Sequence, residues 1–336
     1  MTNPFEGRQG TVVPGFVDLQ VNGGFGHDFT SKPATIWDVG AILPRYGVTG
    51  FLPTVISAPV ESALAALAVL AGGPPSGWTG ALPLGLHVEG PMISPQRIGT
   101  HPADALVEPS LELVDCLVAA GPPKMVTLAP ELPGAEEVVR RLCAAGVVVA
   151  MGHTDATAAQ AESSFGWGIS HATHLFNAMS GLDHRAPGAP AAVLGHNVLT
   201  SGLIADGLHV APAMLRVAHR ALGPERIALV TDAMAATGLG EGQYVIGSVP
   251  VTVSGVEARN GGGRLAGSTA TMDQVVRTMI EATGCSLEEA VTMASSTPAA
   301  VIGHEPHLGD LVLLDNDLAV AATAIGGTIA YRRAQT

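Results

Sequence analysis

Eight apolar runs, each with a polar residue at or close to its C-terminal end and most followed by a helical stretch, constrain this chain more than any other feature. They are GFVDLQV (15–21), VTGFLPTV (48–55), PLGLHVE (83–89), MVTLAP (125–130), VVVAMG (147–152), SHATHLF (170–176), SGLIAD (201–206) and IALVT (227–231). Near-continuous apolar strands are what a parallel sheet covered on both faces requires. The intervening segments carry helix boundary signals. ESALAALAVLAGG (61–73) follows a proline, and SLELVDCLVAAG (110–121) opens on a capping serine. GAEEVVRRLCAAG (134–146) runs from acidic to basic and stops at a glycine, and APAMLRVAHRALG (211–223) has proline in its first turn. These signals satisfy orphan backbone groups and complement the helix dipole at each end. Eight strands alternating with helices predict an α/β fold, a (β/α)8 TIM barrel; a doubly wound open sheet has the same period.

The rhythm breaks after the eighth run. Residues 243–265 read as a polar–apolar hairpin, helical segments follow near 270–283 and 286–302, and the tail reads as short strands with Asp-Asn and Gly-Gly turns. The expected organisation is a barrel over 13–306 carrying the hairpin insertion, with 1–12 and 307–336 forming a reduced β-sandwich. Apolar residues make up 47% of the chain and charged residues 13%, which excludes disorder. A net charge of −13 argues against nucleic acid or a membrane surface as partner, so an anionic ligand would need locally placed cations. Three cysteines without a CxxC pair fit a reducing cytoplasm, and the N-terminal residues lack the pattern of a signal peptide.

Barrel chemistry is carried at the C-terminal ends of the strands, so the polar residues that end the runs are the candidates. Glu89 in LHVEGP is either a ligand or base at a loop mouth, or a carboxylate capping a turn. His153 in AMGHTDAT is either a ligand or a strand-end histidine satisfied by its neighbours. His171 and His174 stand three apart, so on a strand they face opposite sides, and His174, nearer the end, is favoured as functional. Glu89, His153 and His174 together supply one carboxylate and two imidazoles, the composition of a catalytic zinc site with an open fourth position. Asp232 in LVTDA either caps the next segment or serves as a proton shuttle opposite a metal. His209 and His101 are candidate substrate-orienting groups. Arg185 in DHRAPG is either a solvated loop charge or the partner of a phosphate.

With these residues in order, the sequence resembles the N-acetylglucosamine-6-phosphate deacetylases of the amidohydrolase superfamily. The segments that carry the resemblance are PGFVDLQVNG, GVTGFLPT, GLHVEGP, GTHP, TLAPE, GHTDAT, ATHLFNAM, ADGLHV, LVTDA and LAGSTATM, spread over about residues 13–310. The resemblance implies a cytoplasmic enzyme that releases acetate from an amino-sugar 6-phosphate in amino-sugar catabolism and cell-wall recycling. It implies one divalent metal held by Glu89, His153 and His174, zinc foremost with iron or another divalent ion as alternatives. Asp232 would be the general base and then acid. His101, Asn177, Ala178 and His209 would contact the substrate, and Arg185 would reach the phosphate from the neighbouring subunit of a homodimer.

Two departures stand out. Where many amidohydrolases carry His-x-His on the first strand and bind a second metal, this chain has Gln20-Val21-Asn22. Neutral amides are poor zinc ligands beside imidazole, so one metal is expected. Relatives also carry a longer segment ahead of the PGF motif, which is why the sandwich is expected to be truncated. The rival readings are a deacetylase of another amino-sugar phosphate, such as N-acetylgalactosamine 6-phosphate, and a non-catalytic phosphosugar-binding barrel. Mere binding needs no proton shuttle, and Asp232 argues against the second.

Overall fold

The structure is a computed structural model that describes residues 4–5 and 8–334. Part of the 1–12 segment assigned to the sandwich therefore lies outside the described residues. The eight runs become strands β1 (Phe16–Val21), β2 (Val48–Val55), β3 (His87–Glu89), β4 (Met125–Leu128), β5 (Val148–Met151), β6 (Ile169–Ala172), β7 (Thr200–Leu203) and β8 (Ile227–Leu229). Each pairs in parallel with the next along the chain. The first and last edges meet through a single parallel bridge, Val21 to Ala233, and the Asn22 N–H donates to the Ala233 carbonyl at 2.8 Å. Side chains complete this seam: Asp18 accepts from the Thr231 hydroxyl at 2.5 Å and from its amide at 3.2 Å. The result is a nearly closed barrel.

Alternation along the strands divides the core into two layers. Val17, Leu19, Leu52, Met125, Ala150 and Ala228 belong to one buried cluster. Their strand neighbours, among them Phe16, Phe51, Val126, Val149 and Leu229, belong to the larger cluster that also takes in the surrounding helices. This two-sided burial is why the runs are apolar throughout; every residue of β1 and β2 is buried.

Helices lie where the boundary signals put them. Val60–Ala71 follows Pro59, Ser110 caps Leu111–Ala120 by accepting from the Leu113 amide at 3.2 Å, and Pro212 opens Pro212–Leu222. None of the described helices is long and apolar enough to cross a membrane. All three cysteines are free.

Four local expectations are corrected. The 83–89 run is divided into Leu82–Pro83 and β3. The 170–176 run leaves the sheet after Ala172, because the chain must turn at Thr173–Met179 to aim His174 at the barrel mouth. The 243–265 hairpin gains a third strand: Gly242–Ile246, Val249–Ser254 and Glu257–Asn260 form one antiparallel sheet. The 286–302 helix breaks at Ser295, whose hydroxyl donates to the Gly15 carbonyl at 2.7 Å and separates Leu287–Ala294 from Ser296–Val301. Near the two ends of the chain, Thr11–Pro14, Leu311–Leu314, Val320–Ile325 and Thr328–Arg332 form one four-stranded antiparallel sheet.

Candidate metal centre and active site

Glu89 ends β3, His153 follows β5, His174 follows β6 and Asp232 follows β8, so four separate strands deliver their side chains to one end of the barrel. His153, His174 and Asp232 adopt left-handed backbone, with φ of 46°, 30° and 51°. That conformation is costly for side chains other than glycine and concentrates at functional sites. It turns each side chain sharply out of the strand direction and into the mouth.

The donor atoms converge. His174 Nε2 lies 2.9 Å from Glu89 Oε1, His153 Nε2 lies 3.2 Å from the same oxygen, and the two imidazole nitrogens are 3.2 Å apart. His101 joins from the side, its Nε2 3.7 Å from Glu89 Oε2. Donor atoms of Glu89, His101 and His153 all fall within 4.8 Å of one another, which is the spacing of a metal-binding cluster. All four residues are buried. Two nitrogens and a carboxylate facing one another at such distances, out of water, make the chemistry of a divalent-cation site. His174 Nδ1 is a further buried polar atom without a hydrogen-bond partner.

Charge in the cluster follows from the same contacts. Burial alone would push the Glu89 carboxyl up, but hydrogen bonds from His101, His153 and His174 outweigh it and hold it well below the usual range. Burial, then repulsion from His153, pushes His101 down to about 4, so its ring is neutral. Asp232 is pushed up to about 6, by burial first and by the Glu89 charge second.

The tautomers separate the histidines. His153 Nδ1 lies 3.0 Å from the Arg97 carbonyl, which only accepts, so Nδ1 carries a proton, and when Nε2 gives up its own the neutral ring turns a lone pair to the cluster. His101 Nδ1 accepts the backbone N–H of Ser57 at 3.2 Å and lies 2.7 Å from its hydroxyl. A backbone amide can only donate, so the proton of the neutral His101 ring sits on Nε2, which faces the site as a donor.

The Gln20 and Asn22 amides are not idle replacements for histidine. Gln20 Nε2 donates to Glu89 Oε1 at 3.0 Å, and Asn22 Nδ2 donates to Asp232 Oδ1 at 2.7 Å. Each amide fixes one carboxylate. Below them, the strand-end histidines His87 and His171 are satisfied in the barrel interior. His87 Nε2 bonds Thr127 Oγ1 at 2.7 Å, and His171 Nδ1 bonds Thr200 Oγ1 at 2.8 Å. Burial holds both rings neutral, at about 4 and about 3.

Above the cluster opens a cavity of about 430 Å³, lined by His101, His153, His174, Asn177, Ala178, His209 and Asp232 among others. His209 is aimed by Asp206, whose carboxylate lies 2.7 Å from Nδ1. Burial opposes ionisation of Asp206, but its bond to His209 prevails and keeps the carboxyl below its ordinary value. Arg185 is exposed, lies in the 181–187 loop and does not line the cavity of its own chain. The structure thus gathers eight of the nine candidate site residues around one cavity.

The same stretch of chain that builds this site matches the sequence pattern of the amidohydrolase family over residues 11–328. The chain belongs to the amidohydrolase family. Members are metal-dependent hydrolases, and the described cluster is a fitting place for the metal. Among individual amidohydrolases, the chain is 40% identical to the human N-acetylglucosamine-6-phosphate deacetylase over 96% of this chain and 83% of that protein. It is 38% identical to the N-acetylgalactosamine-6-phosphate deacetylase of Escherichia coli O157:H7, covering 95% of this chain and 87% of that one. Its fold superposes with a TM-score of 0.89 on an Asp→Ala variant of the Mycobacterium smegmatis N-acetyl-D-glucosamine-6-phosphate deacetylase in complex with N-acetyl-D-glucosamine-6-phosphate. That match is 38% identical and covers 96% of this chain and 87% of the other. As an amidohydrolase with deacetylases as relatives, the chain is a hydrolase acting on an amide bond.

Reading the sequence missed four groups at this site: Gln20 and Asn22 as carboxylate holders, Ser57 as the partner of His101, and Arg264 at the rim. For Gln20 and Asn22 the signal was present, since amides stood where other amidohydrolases carry histidine. For Ser57 and Arg264 no motif marked them.

Proposed function

We propose that this protein deacetylates N-acetyl-D-glucosamine 6-phosphate to D-glucosamine 6-phosphate and acetate, with one divalent metal, zinc foremost, held by Glu89, His153 and His174. One observation carries the reading. Asp232 stands beside the two-imidazole, one-carboxylate cluster, on the far strand of the barrel, with its carboxylate fixed by Asn22 and open to the same cavity. A ligand-binding barrel has no use for a carboxylate held in that way. The tautomers support the choice between His153 and His101: the neutral ring of His153 offers a lone pair at Nε2, whereas that of His101 offers a proton there.

When bound, the metal supplies Lewis acidity at the acetamide and lowers the pKa of water. Asp232 takes the proton of the attacking water and returns it to the departing amine nitrogen, so base and acid are the same carboxyl at successive steps. His101 Nε2–H donates to the acetamide oxygen as negative charge builds there, a preorganised contact that needs no rearrangement. His209, aimed by Asp206, and the Asn177–Ala178 turn orient the sugar. Arg185, exposed and outside its own cavity, is the group proposed to reach the phosphate of a neighbouring subunit's substrate in a homodimer. A cavity of about 430 Å³ lies within the range of small-molecule sites and suits a sugar phosphate.

The test is acetate release by metal-loaded protein, with N-acetylglucosamine 6-phosphate and its galacto epimer as substrates and metal content measured alongside. The reading expects turnover of the gluco substrate to exceed that of the epimer at about one metal per chain. No acetate from either substrate would overturn the function, and preference for the epimer would overturn the substrate assignment.

A further inference from the structure

The end of β4 sends no side chain into the cavity, although its neighbours β3 and β5 deliver Glu89 and His153. The polar residue there is Glu131, half-buried and turned toward the loop that follows β5. Both of its oxygens are spent on that loop. Oε2 accepts the Thr154 hydroxyl at 2.5 Å, and Oε1 accepts the Asp155 N–H at 2.6 Å. Hydrogen bonds onto a carboxylate are roughly twice as strong as neutral ones.

What they hold is the turn by which the chain leaves His153. The left-handed backbone of His153, at φ 46°, persists only where the surroundings over-determine it. Thr154 is buried; its N–H donates to the Ala178 carbonyl at 3.0 Å, and its own carbonyl accepts the Ser180 N–H at 2.9 Å. The turn gripped by Glu131 is thus also stitched to the segment that follows His174.

A second arm runs back to His153. Asp155 accepts Arg97 Nε at 2.7 Å, and the Arg97 carbonyl is the acceptor 3.0 Å from His153 Nδ1. On the same loop, Ser94 donates its N–H to the His153 carbonyl at 2.9 Å. A histidine that ligates through one nitrogen depends on the acceptor at its other nitrogen for ring orientation and tautomer. Half-exposed pairs such as Arg97–Asp155 add little to stability, so this one matters for where it puts the Arg97 carbonyl. Its own footing is the Asp155 backbone, fixed by Glu131.

We propose that Glu131 is a positioning residue for the metal centre: by holding the Thr154–Asp155 turn it sets the His153 ring and, through Asp155 and Arg97, the carbonyl that keeps a proton on Nδ1. This rests on the reading of His153 as a metal ligand above. Glu131 gives β4 a share in the site without touching substrate or metal.

The experiment measures the zinc Kd by chelator competition, and the thermal midpoint of the metal-free protein. The chains compared are the wild type, Glu131→Ala, Glu131→Gln, Arg97→Ala, the Glu131→Ala/Arg97→Ala pair and His153→Gln. Glu131→Ala is expected to weaken zinc about ten- to a hundredfold, the range for residues that orient a metal-bound histidine. Glu131→Gln regains part of the loss, since its amide oxygen still accepts the Asp155 N–H. Because both residues act on one imidazole, the pair should lose less than the product of the single losses. Zinc bound by Glu131→Ala within about threefold of the wild type would overturn the proposal, being well short of that range. So would losses that multiply, a Glu131→Gln variant no better than Glu131→Ala, or a zinc loss that tracks a fallen metal-free midpoint. Should Glu131→Ala fail to fold, Arg97→Ala decides: weakened zinc with an unchanged metal-free midpoint supports the relay, and a native Kd overturns it. His153→Gln binding zinc like the wild type would instead overturn the ligand set, an outcome distinct from all of these.

Discussion

Replacing Asp232 by asparagine isolates the proton shuttle from everything else the residue does. The carboxamide oxygen can still accept from Asn22 Nδ2, at 2.7 Å in the native chain, and the Asp232 carbonyl still accepts the Ser268 amide at 2.8 Å. Asparagine also tolerates the left-handed backbone at φ 51° better than most residues. Fold and metal content are therefore expected to survive, because Asp232 is not one of the three proposed ligands. What disappears is a basic oxygen beside the attacking water. General acid–base help is worth roughly 10²–10⁴-fold, or about 3–5 kcal/mol of barrier. Because one carboxyl serves both proton transfers, the loss should lie toward the upper end and fall on kcat. The assay is acetate release under saturating substrate, with metal per chain and thermal midpoint measured on the same preparation. A variant that holds its metal and turns over within about threefold of the native protein would show that another group moves the proton, since even the lower bound of base catalysis is larger.

Three further outcomes follow from the geometry. His153→Gln should emerge from dialysis depleted of metal, whereas His101→Gln should keep near-native content and lose turnover; equal depletion in both would make His101 a ligand and refute the tautomer assignment. Asp18, buried at the barrel seam, is pushed up to about 7 from an ordinary 3.8, chiefly by burial. The native state therefore binds the extra proton between those values, and the stability this contributes is complete below pH ~4 and lost as pH rises through about 7, by a few kcal/mol at most. Asp18→Asn should flatten that decline in thermal midpoints, and an undiminished slope would clear Asp18 of causing it. Gly47, at φ 83°, has no room for a methyl group, which would lie 2.6 Å from the Phe16 ring. Gly47→Ala should cost about 2–4 kcal/mol in denaturant unfolding while leaving turnover per folded molecule intact, and a cost below about 1 kcal/mol would mean the ring moves aside freely.

The barrel was legible because burial on both faces writes an apolar run for every strand, and the site was legible because polar residues interrupt those runs at one end. Glu89, His153, His174 and Asp232 each follow this pattern. His174 was favoured over His171 as the histidine nearer the strand's end, and the chain places it beyond β6 altogether, on left-handed backbone. No local pattern announces such a turn, because it is imposed by what the side chain must reach. The break at Ser295 was hidden for the same kind of reason, since a hydroxyl bonded to Gly15, distant in sequence, overrides a continuous helical period. The third strand of the 242–260 sheet was masked by its charged residues, which suit an edge open to solvent. The roles of Asn22 and Gln20 needed the closed barrel, because only closure sets the first strand beside the last and lets its side chains reach across the mouth to the end of the third.

The pairing of Thr11–Pro14 with Leu311–Leu314 joins segments about three hundred residues apart. During synthesis at ~5–20 residues per second, the early strand waits on the order of tens of seconds for its mate to leave the ribosome. Its backbone amides stay wetted, or guarded by a chaperone, throughout that delay. Nascent chains stalled short of the terminal sheet should thus be far more vulnerable to protease than the finished molecule, however complete their barrel.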